Sequence, residues 1–228
     1  MTRLLTARRA YEFRPDDLRL SVLSTLQAQQ QISKLFDFQV FQVGTPLQAF
    51  GAIPDTIPPG VIFDYGIAST TETEVPVRFL HFEPFRIVID VAGPSATIDW
   101  MYDRLRQVLL DIQDFDGSPA VGEPLRTIDY SEISTQLGFG LEDLLSEPVS
   151  RLTQDTFGGR EGNLRVFPAN INFLSIDPSQ EIGQQSLAGP SLQVRAGTRP
   201  EDKIYFSTAY LPTDLHLAWL NELDKELG

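Results

Sequence analysis

An acidic cluster around one glycine is the nearest approach to a metal-binding loop in this sequence. Asp114 and Asp116 precede Gly117, and Glu123 follows it, at the spacings that an EF-hand loop gives to three of its ligands. Carboxylate oxygens suit the hard cations Ca²⁺ and Mg²⁺. The pattern is incomplete, because Ile112 stands where the loop requires its first acidic ligand. A metal-dependent hydrolase that uses Asp114, Asp116 and Glu123 is therefore an alternative interpretation.

A second group of charged residues has an order that can support phosphodiester cleavage. Asp177 precedes the segment Glu201-Asp202-Lys203, and an acidic residue with Glu-x-Lys on a neighbouring strand can hold a divalent ion. The segment follows Pro200, however, in a stretch with the composition of a polar turn, where charged residues need no function. The sequence therefore favours an ordinary turn at this position.

The two histidines, His81 and His216, are far apart in the sequence. His81 is close to Glu83, so a general base supported by a carboxylate is one interpretation. His216 falls within the apolar arc of the last predicted helix, near Trp219. For both, we favour a histidine held by hydrogen bonds within the fold, because buried polar groups are normally paired.

The sequence lacks the residues on which several classes of catalytic site depend. It contains no cysteine, which excludes disulfides, thiolate nucleophiles and cysteine-ligated metals. It also contains no Gly-x-Ser-x-Gly elbow, no phosphate-binding Gly-x-x-x-x-Gly-Lys loop and no dinucleotide-binding glycine pattern. We therefore predict no cofactor and lean towards a protein that is not an enzyme, while noting that scattered Asp, Ser or Tyr residues leave no linear trace.

The stretch from Phe85 to Phe115 contains the clearest predicted elements. Apolar residues alternate along a strand whose core face is formed by Phe85, Ile87, Ile89 and Val91. A break at Gly93-Pro94 leads into a predicted helix over residues 95–115. Its apolar stripe recurs at helical spacing and consists of Ile98, Met101, Tyr102, Leu105, Val108, Leu109 and Ile112. The strand and the helix are expected to pack together through these faces.

Trp100 lies on the opposite side of this predicted helix from the apolar stripe. Arg104 follows one turn later, where its guanidinium can stack on the indole. An aromatic residue and an arginine on a polar face are typical of a protein–protein contact, so Trp100 and Arg104 are predicted partner-binding residues. The alternative is that another segment of the same chain covers this part of the helix.

The C-terminal segment repeats the plan of strands followed by an amphipathic helix. Residues 213–227 are predicted to form a helix whose buried side consists of Leu215, Trp219, Leu223 and Leu227. We predict an α+β fold with antiparallel sheets and packed amphipathic helices. Residues 1–117 would form one β-rich unit closed by helix 95–115, and residues 118–228 a similar unit closed by helix 213–227, or the two would form a single domain.

The charge balance bounds the choice of partners. The chain has 31 acidic and 18 basic residues and a formal net charge of −13, which disfavours binding to nucleic acid. A basic group near the start, Arg3, Arg8, Arg9 and Arg14, is interpreted as part of a first strand or arm. No apolar run has the length of a membrane span, so we predict no membrane insertion and a cytoplasmic location.

These observations favour a non-catalytic interaction or assembly protein that binds a protein partner or associates with itself. The outer face of the middle helix is the predicted contact surface. A metal-dependent hydrolase and a small-ligand binding protein remain the alternatives, the latter because a helix over a sheet rich in aromatic residues can enclose a pocket.

Overall fold

The computed structural model describes residues 2–44, 60–70, 73–112, 117–158, 167–175 and 187–228. The chain divides into two compact units. The N-unit comprises Thr6–Tyr130, and the C-unit comprises Met1–Leu5 together with Ser131–Gly228. Both units combine helices with antiparallel strands. The predicted α+β class is confirmed.

The N-unit is a sheet with helices packed on one face. Its strands are β1 (Arg3–Glu12), β2 (Val40–Gly44), β3 (Gly60–Ser69), β4 (Glu74–Glu83) and β5 (Arg86–Val91). They neighbour one another in the order β2-β3-β4-β5-β1. The helices are α1 (Leu20–Leu23), α2 (Leu26–Leu35) and α3 (Ser95–Asp111). The side chain of Thr25 caps α2 by accepting a hydrogen bond from the amide of Ala28.

The core of the N-unit lies between α3 and one face of this sheet. The fully buried residues of this contact include Ile87, Ile89 and Val91 of β5 and Ile98, Met101, Leu105 and Leu109 of α3. Phe85 was expected on the same face, but it is exposed because it lies in the turn before β5. Helix α3 ends at Asp111, before the predicted limit at residue 115, because Ile112 adopts an extended conformation. Residues 113–116 lie outside the described part of the chain.

The C-unit is built on a second group of antiparallel strands. These are β6 (Arg126–Gln136), β7 (Asn170–Ser175), β8 (Leu187–Val194) and β9 (Ile204–Ala209), in the order β6-β9-β8-β7. The helices are α4 (Glu147–Thr153), continued by a π-helical turn, and α5 (Thr213–Leu227). The core residues are Ile133, Leu137, Phe139, Leu141, Leu192, Tyr205 and Leu220.

Helix α5 presents a different arc to the core from the one predicted. Its buried residues are Thr213, His216 and Leu220, whereas Leu215 is 53% exposed. Of the predicted stripe, Trp219 and Leu223 pack against the core, whereas Leu215 and Leu227 are exposed. The reason is that the His216 ring forms hydrogen bonds within the C-unit core. The side of α5 that carries His216 therefore faces the core.

The limits of the compact units differ from the predicted domain limits. The division falls within β6, after Tyr130, whereas the sequence suggested a division after Gly117. Met1–Leu5, at the start of β1, belong to the C-unit, and Leu4 packs against its core. The predicted domain limits and the similarity of the two units stay predictions. Among the described helices, none is long and apolar enough to cross a membrane.

Candidate functional site

One face of the N-unit sheet packs against the helices and forms the core. The opposite face carries charged and aromatic side chains. Helices α1, α2 and α3 place their buried apolar residues in the core, and no other described helix belongs to this unit. Side chains alternate between the two faces of a strand, so Asp90 points away from the face of Ile89 and Val91. The register places Arg8 of β1 and Phe79 of β4 on either side of Asp90. We refer to this side of the sheet as the polar face; it includes Arg8, Arg78, Phe79, His81, Glu83, Arg86, Asp90 and Tyr130.

Asp90 is a buried carboxylate at the centre of the polar face. Its side chain is 1% exposed, while the Arg8 and Arg78 side chains above it are 41% and 50% exposed. The Nε and Nη2 atoms of Arg8 lie 2.8 and 2.7 Å from Oδ2 of Asp90. Nε of Arg78 lies 3.6 Å from Oδ1, within ion-pair range. A buried carboxylate is costly unless it is paired, so Arg8 supplies the main compensation.

Two aromatic rings flank the Arg8 guanidinium. Its Cζ atom lies 5.3 Å from the ring centroid of Phe79 and 5.7 Å from that of Tyr130. Both distances fall in the range of cation–π attraction. The rings and the carboxylate together fix the orientation of Arg8, so the polar face presents a preorganised guanidinium to solvent.

The backbone is irregular where β3 and β4 pass Arg78. Tyr65 of β3 has φ 57°, in the left-handed region, and is 68% exposed. The pairs Asp64–Phe79 and Gly66–Val77 bracket Tyr65 and place it opposite Arg78. Arg78 is itself the extra residue where β4 shifts register against β5. A left-handed conformation is unfavourable for a bulky side chain, and such strain is found preferentially at functional positions.

His81 and Glu83 form a second polar group on this face. Nδ1 of His81 lies 3.2 Å from Oε1 of Glu83, whose Oε2 accepts a hydrogen bond from Nε of Arg86. Burial alone would raise the pKa of Glu83, but the hydrogen bonds from His81 and Arg86 hold it below its usual value. In this contact the Nδ1–H of His81 donates to the Glu83 carboxylate, because an ionised carboxylate only accepts.

The pairing expected for His81 is therefore present, and it lies within the fold rather than at an open surface. The residue is buried, and its Nε2 atom has no hydrogen-bond partner in the described structure. A Cβ atom at Gly60 would lie 2.8 Å from Nε2, so the ring faces the backbone of β3. Among the described residues, no side chain forms a hydrogen bond with Nε2, so a role of His81 as a general base stays a prediction.

The structure leaves the predicted metal loop untested. Asp114 and Asp116 lie outside the described residues, and Glu123 is an exposed residue that forms an ion pair with Arg106. Within the described ranges, no group of three acidic or histidine side chains has the geometry of a metal site. Asp177 is likewise outside the description, and Asp202 accepts a hydrogen bond from the Arg199 amide in a 3-10 turn.

Trp100 and Arg104 are brought together as predicted. The Arg104 guanidinium carbon lies 5.0 Å from the Trp100 ring centroid. The indole is half-buried, and its ring meets Phe36 edge-on at 6.2 Å. Both expectations for Trp100 are therefore met: Arg104 stacks on the indole, and Phe36 from another segment of the chain covers part of it. The role of Trp100 and Arg104 in partner binding stays a prediction.

His216 lies in the C-unit core between two serine hydroxyls. Its Nδ1 and Nε2 atoms are each 2.8 Å from a hydroxyl oxygen, that of Ser131 and that of Ser207. The carbonyl oxygens of Leu211 and Ser191 lie 2.9 and 2.8 Å from the two hydroxyls. With a neutral ring, one serine accepts from the ring N–H and donates to its carbonyl, and the other serine donates to the second ring nitrogen. Burial lowers the pKa of His216 to about 4. The ring is neutral at pH 7 and fully buried, which makes it a structural histidine.

Sequence reasoning missed Asp90 and Arg8 as a pair. The only local signal was a charged residue within the apolar run Val88-Ile89-Asp90-Val91, which is unusual in the interior of a sheet. Arg8 stands 82 positions earlier, so no spacing rule connects the two. Tyr65 gave no signal either, since an aromatic residue before a glycine in a strand is ordinary.

Comparison with known proteins gives no family assignment. No protein-family model matches this chain. The search of curated proteins also finds no match.

Proposed function

We propose that this protein is a non-catalytic, cytoplasmic interaction protein that binds an acidic segment of another protein through the polar face of the N-unit. The observation that supports it most directly is the buried Asp90 carboxylate beneath two half-exposed guanidinium groups. Such an arrangement fixes arginine donors at a surface, where they can meet the carboxylates of a partner.

The charge at this position favours an acidic partner. Arg8 and Arg78 share the single carboxylate of Asp90, so these three residues carry one excess positive charge in a chain of net charge −13. Asp64, the register partner of Phe79, adds one further carboxylate to this face. A guanidinium has five N–H donors in a planar fork. A single buried carboxylate does not use all of them, so some donors stay available to a partner. Phe79, Tyr65 and Tyr130 add aromatic surface around the two arginines. Arginine and tyrosine are the residue types that contribute most at the centres of protein interfaces.

The test is a capture experiment with matched arginine variants. Arg78→Gln removes one exposed charge from the polar face, and Arg126→Gln removes an exposed charge of the same type that pairs with Glu12. We expect a stoichiometric partner that is recovered with wild-type protein and Arg126→Gln, and at least about tenfold less with Arg78→Gln. Equal recovery with both variants, or no partner with an acidic segment, contradicts the proposal.

Trp100 and Arg104 form a second proposed contact surface, on α3. Their stacking supports it, because a fixed indole and guanidinium pair needs little reordering on binding. Arg104→Gln in the same capture experiment tests this surface, since Arg104 can be changed without removing the contact of Trp100 with Phe36. Unchanged recovery would remove α3 from the proposed interface and leave the polar face alone.

The metal-dependent alternative stays a prediction that a titration can decide. Calorimetry with Ca²⁺ and Mg²⁺ tests Asp114, Asp116 and Glu123 directly, and binding would raise the melting temperature. Heat of binding that disappears in Asp116→Asn would favour the hydrolase interpretation over the non-catalytic one.

A further inference from the structure

Among the described residues, β7 is the edge strand of the C-unit and carries none of the sequence features that usually protect an edge. Among the described strands only β8 pairs with it. Its sequence, Asn-Ile-Asn-Phe-Leu-Ser, has no charged residue and no proline. Natural edges are normally blocked by lysine, proline or a covering segment, because their free backbone groups pair readily with another strand.

The hydrogen-bond pattern shows which backbone groups of β7 point away from β8. The Val194 amide donates to the carbonyl of Ala169 at 3.0 Å, next to the register pairs Asn170–Gln193 and Asn172–Ser191. Hydrogen-bonded and non-bonded pairs alternate along an antiparallel ladder, so Asn170 and Asn172 occupy non-bonded positions. Their N–H and C=O groups therefore point outward from the edge.

An exposed apolar strip lies beside this edge. Phe173 of β7 meets the Trp219 ring edge-on at 5.9 Å, and Leu215 precedes Trp219 by one turn of α5. Phe173 is 38% exposed and Leu215 is 53% exposed, and Trp219, which connects them, packs against the C-unit core. The strip gives a strand that pairs at the edge an apolar surface to cover as well.

We propose that two copies of this protein associate by antiparallel pairing of β7 with β7 of the second copy. An antiparallel pair of identical strands is related by a twofold axis, so each outward N–H of one copy meets a C=O of the other. The same axis brings the two apolar strips towards each other. Copies with a net charge of −13 repel, and an uncharged edge is where their approach is least opposed. This association uses a different unit and a different partner from the proposed function.

The experiment is sedimentation velocity on the full chain over a range of concentrations. We expect wild-type protein to shift from the 25.5 kDa monomer to twice that mass as concentration rises. Asn172→Pro removes an outward N–H and leaves the β8 ladder intact, so it should weaken dimerisation at least tenfold without changing the circular dichroism spectrum. A wild-type protein that stays monomeric throughout overturns the proposal.

A pair of lysine variants provides a second test that does not depend on proline. Asn172→Lys places a charge on the edge strand, and Gln193→Lys places the same charge on the same side of the sheet, one strand inward. Loss of the dimer only in Asn172→Lys supports pairing at the edge. Equal loss in both variants, or in neither, contradicts it. Recovery of the acidic partner should be unchanged in Asn172→Lys, which separates failure here from failure of the proposed function.

Discussion

At the scale of single residues, the burial of Asp90 depends on Arg8 more than on Arg78. Arg8 places two nitrogens at hydrogen-bond distance from Oδ2, whereas Arg78 approaches Oδ1 only to 3.6 Å. Removing Arg8 leaves the Asp90 carboxylate, which is 1% exposed, without the guanidinium that makes its closest contacts. Removing the carboxylate instead leaves two half-exposed guanidiniums, which water can solvate.

We therefore predict an order of stability losses within this group. Arg8→Met should lower the free energy of unfolding by about 3 kcal/mol. Asp90→Asn should lower it by about 1–2 kcal/mol, and Arg78→Met by less than about 1 kcal/mol. Urea unfolding followed by circular dichroism measures all three. A larger loss for Arg78→Met than for Arg8→Met would show that the ion pair is wrongly assigned.

His216 makes the stability of the C-unit depend on pH. Its pKa is about 4 when folded, against an ordinary value of 6.5, so the unfolded chain takes up the proton first as the pH falls. The stability that it contributes is complete above pH 6.5 and is lost as the pH falls from 6.5 towards 4. Between pH 7 and 5 the loss should be about 2 kcal/mol.

Two measurements check this contribution. Urea unfolding at both pH values should show a smaller change in His216→Gln than in wild-type protein, because glutamine can donate to one serine and accept from the other without titrating. The imidazole C–H signals should also show no titration above about pH 5 by NMR. A titration centred near pH 6.5 would contradict the buried, neutral ring.

At the scale of elements, β3 keeps a conformation that costs stability. Tyr65 has φ 57° in the middle of a strand, and Gly66 beside it allows the chain to pass close to Phe38. We predict that Tyr65→Gly raises the free energy of unfolding by about 1 kcal/mol, because glycine adopts this conformation without strain. Gly66→Ala should lower it by about 1–3 kcal/mol, since a Cβ atom would lie 2.6 Å from the Phe38 ring.

The variant Tyr65→Gly also shows whether the strained conformation of Tyr65 has a function. If Tyr65 contributes to the polar face, Tyr65→Gly should be more stable than wild-type protein and yet recover less of the acidic partner. Thermal unfolding and the capture experiment together report both properties. A variant that gains stability and loses no partner would place Tyr65 outside the contact surface.

Elements with local patterns were predictable from the sequence, and their relations across the sheet were not. The alternation in β5 and the stripe of α3 are properties of neighbouring residues, so they identify a strand and a helix correctly. The buried side of α5 was predicted in part: Trp219 and Leu223 pack against the core, but Leu215 is exposed because His216 turns inward to serines of β6 and β9. Periodicity does not reveal these serines. The polar face escaped prediction for the same reason, since it depends on which strands become neighbours.

At the scale of the whole molecule, the two proposed associations should respond to salt in opposite directions. Binding of an acidic segment by Arg8 and Arg78 is an attraction between charges that ions screen. Pairing of two copies works against repulsion between chains of net charge −13, which ions also screen. Raising the salt concentration from about 50 to about 300 mM should weaken partner capture and strengthen the dimer. Capture and sedimentation that change in the same direction would contradict one of the two assignments.

The start of β1 belongs to the C-unit, and this affects the order in which the two units can be completed during synthesis. Residues 1–5 are translated before the N-unit, but they belong to the unit formed with Ser131–Gly228. Thr2, for example, lies 2.9 Å from the hydroxyl of Thr135. The N-unit has all its residues once Tyr130 has been synthesised, while residues 2–5 must wait for Ser131–Gly228. A chaperone bound to residues 2–5 would therefore interfere with a unit whose remaining residues are translated after the N-unit.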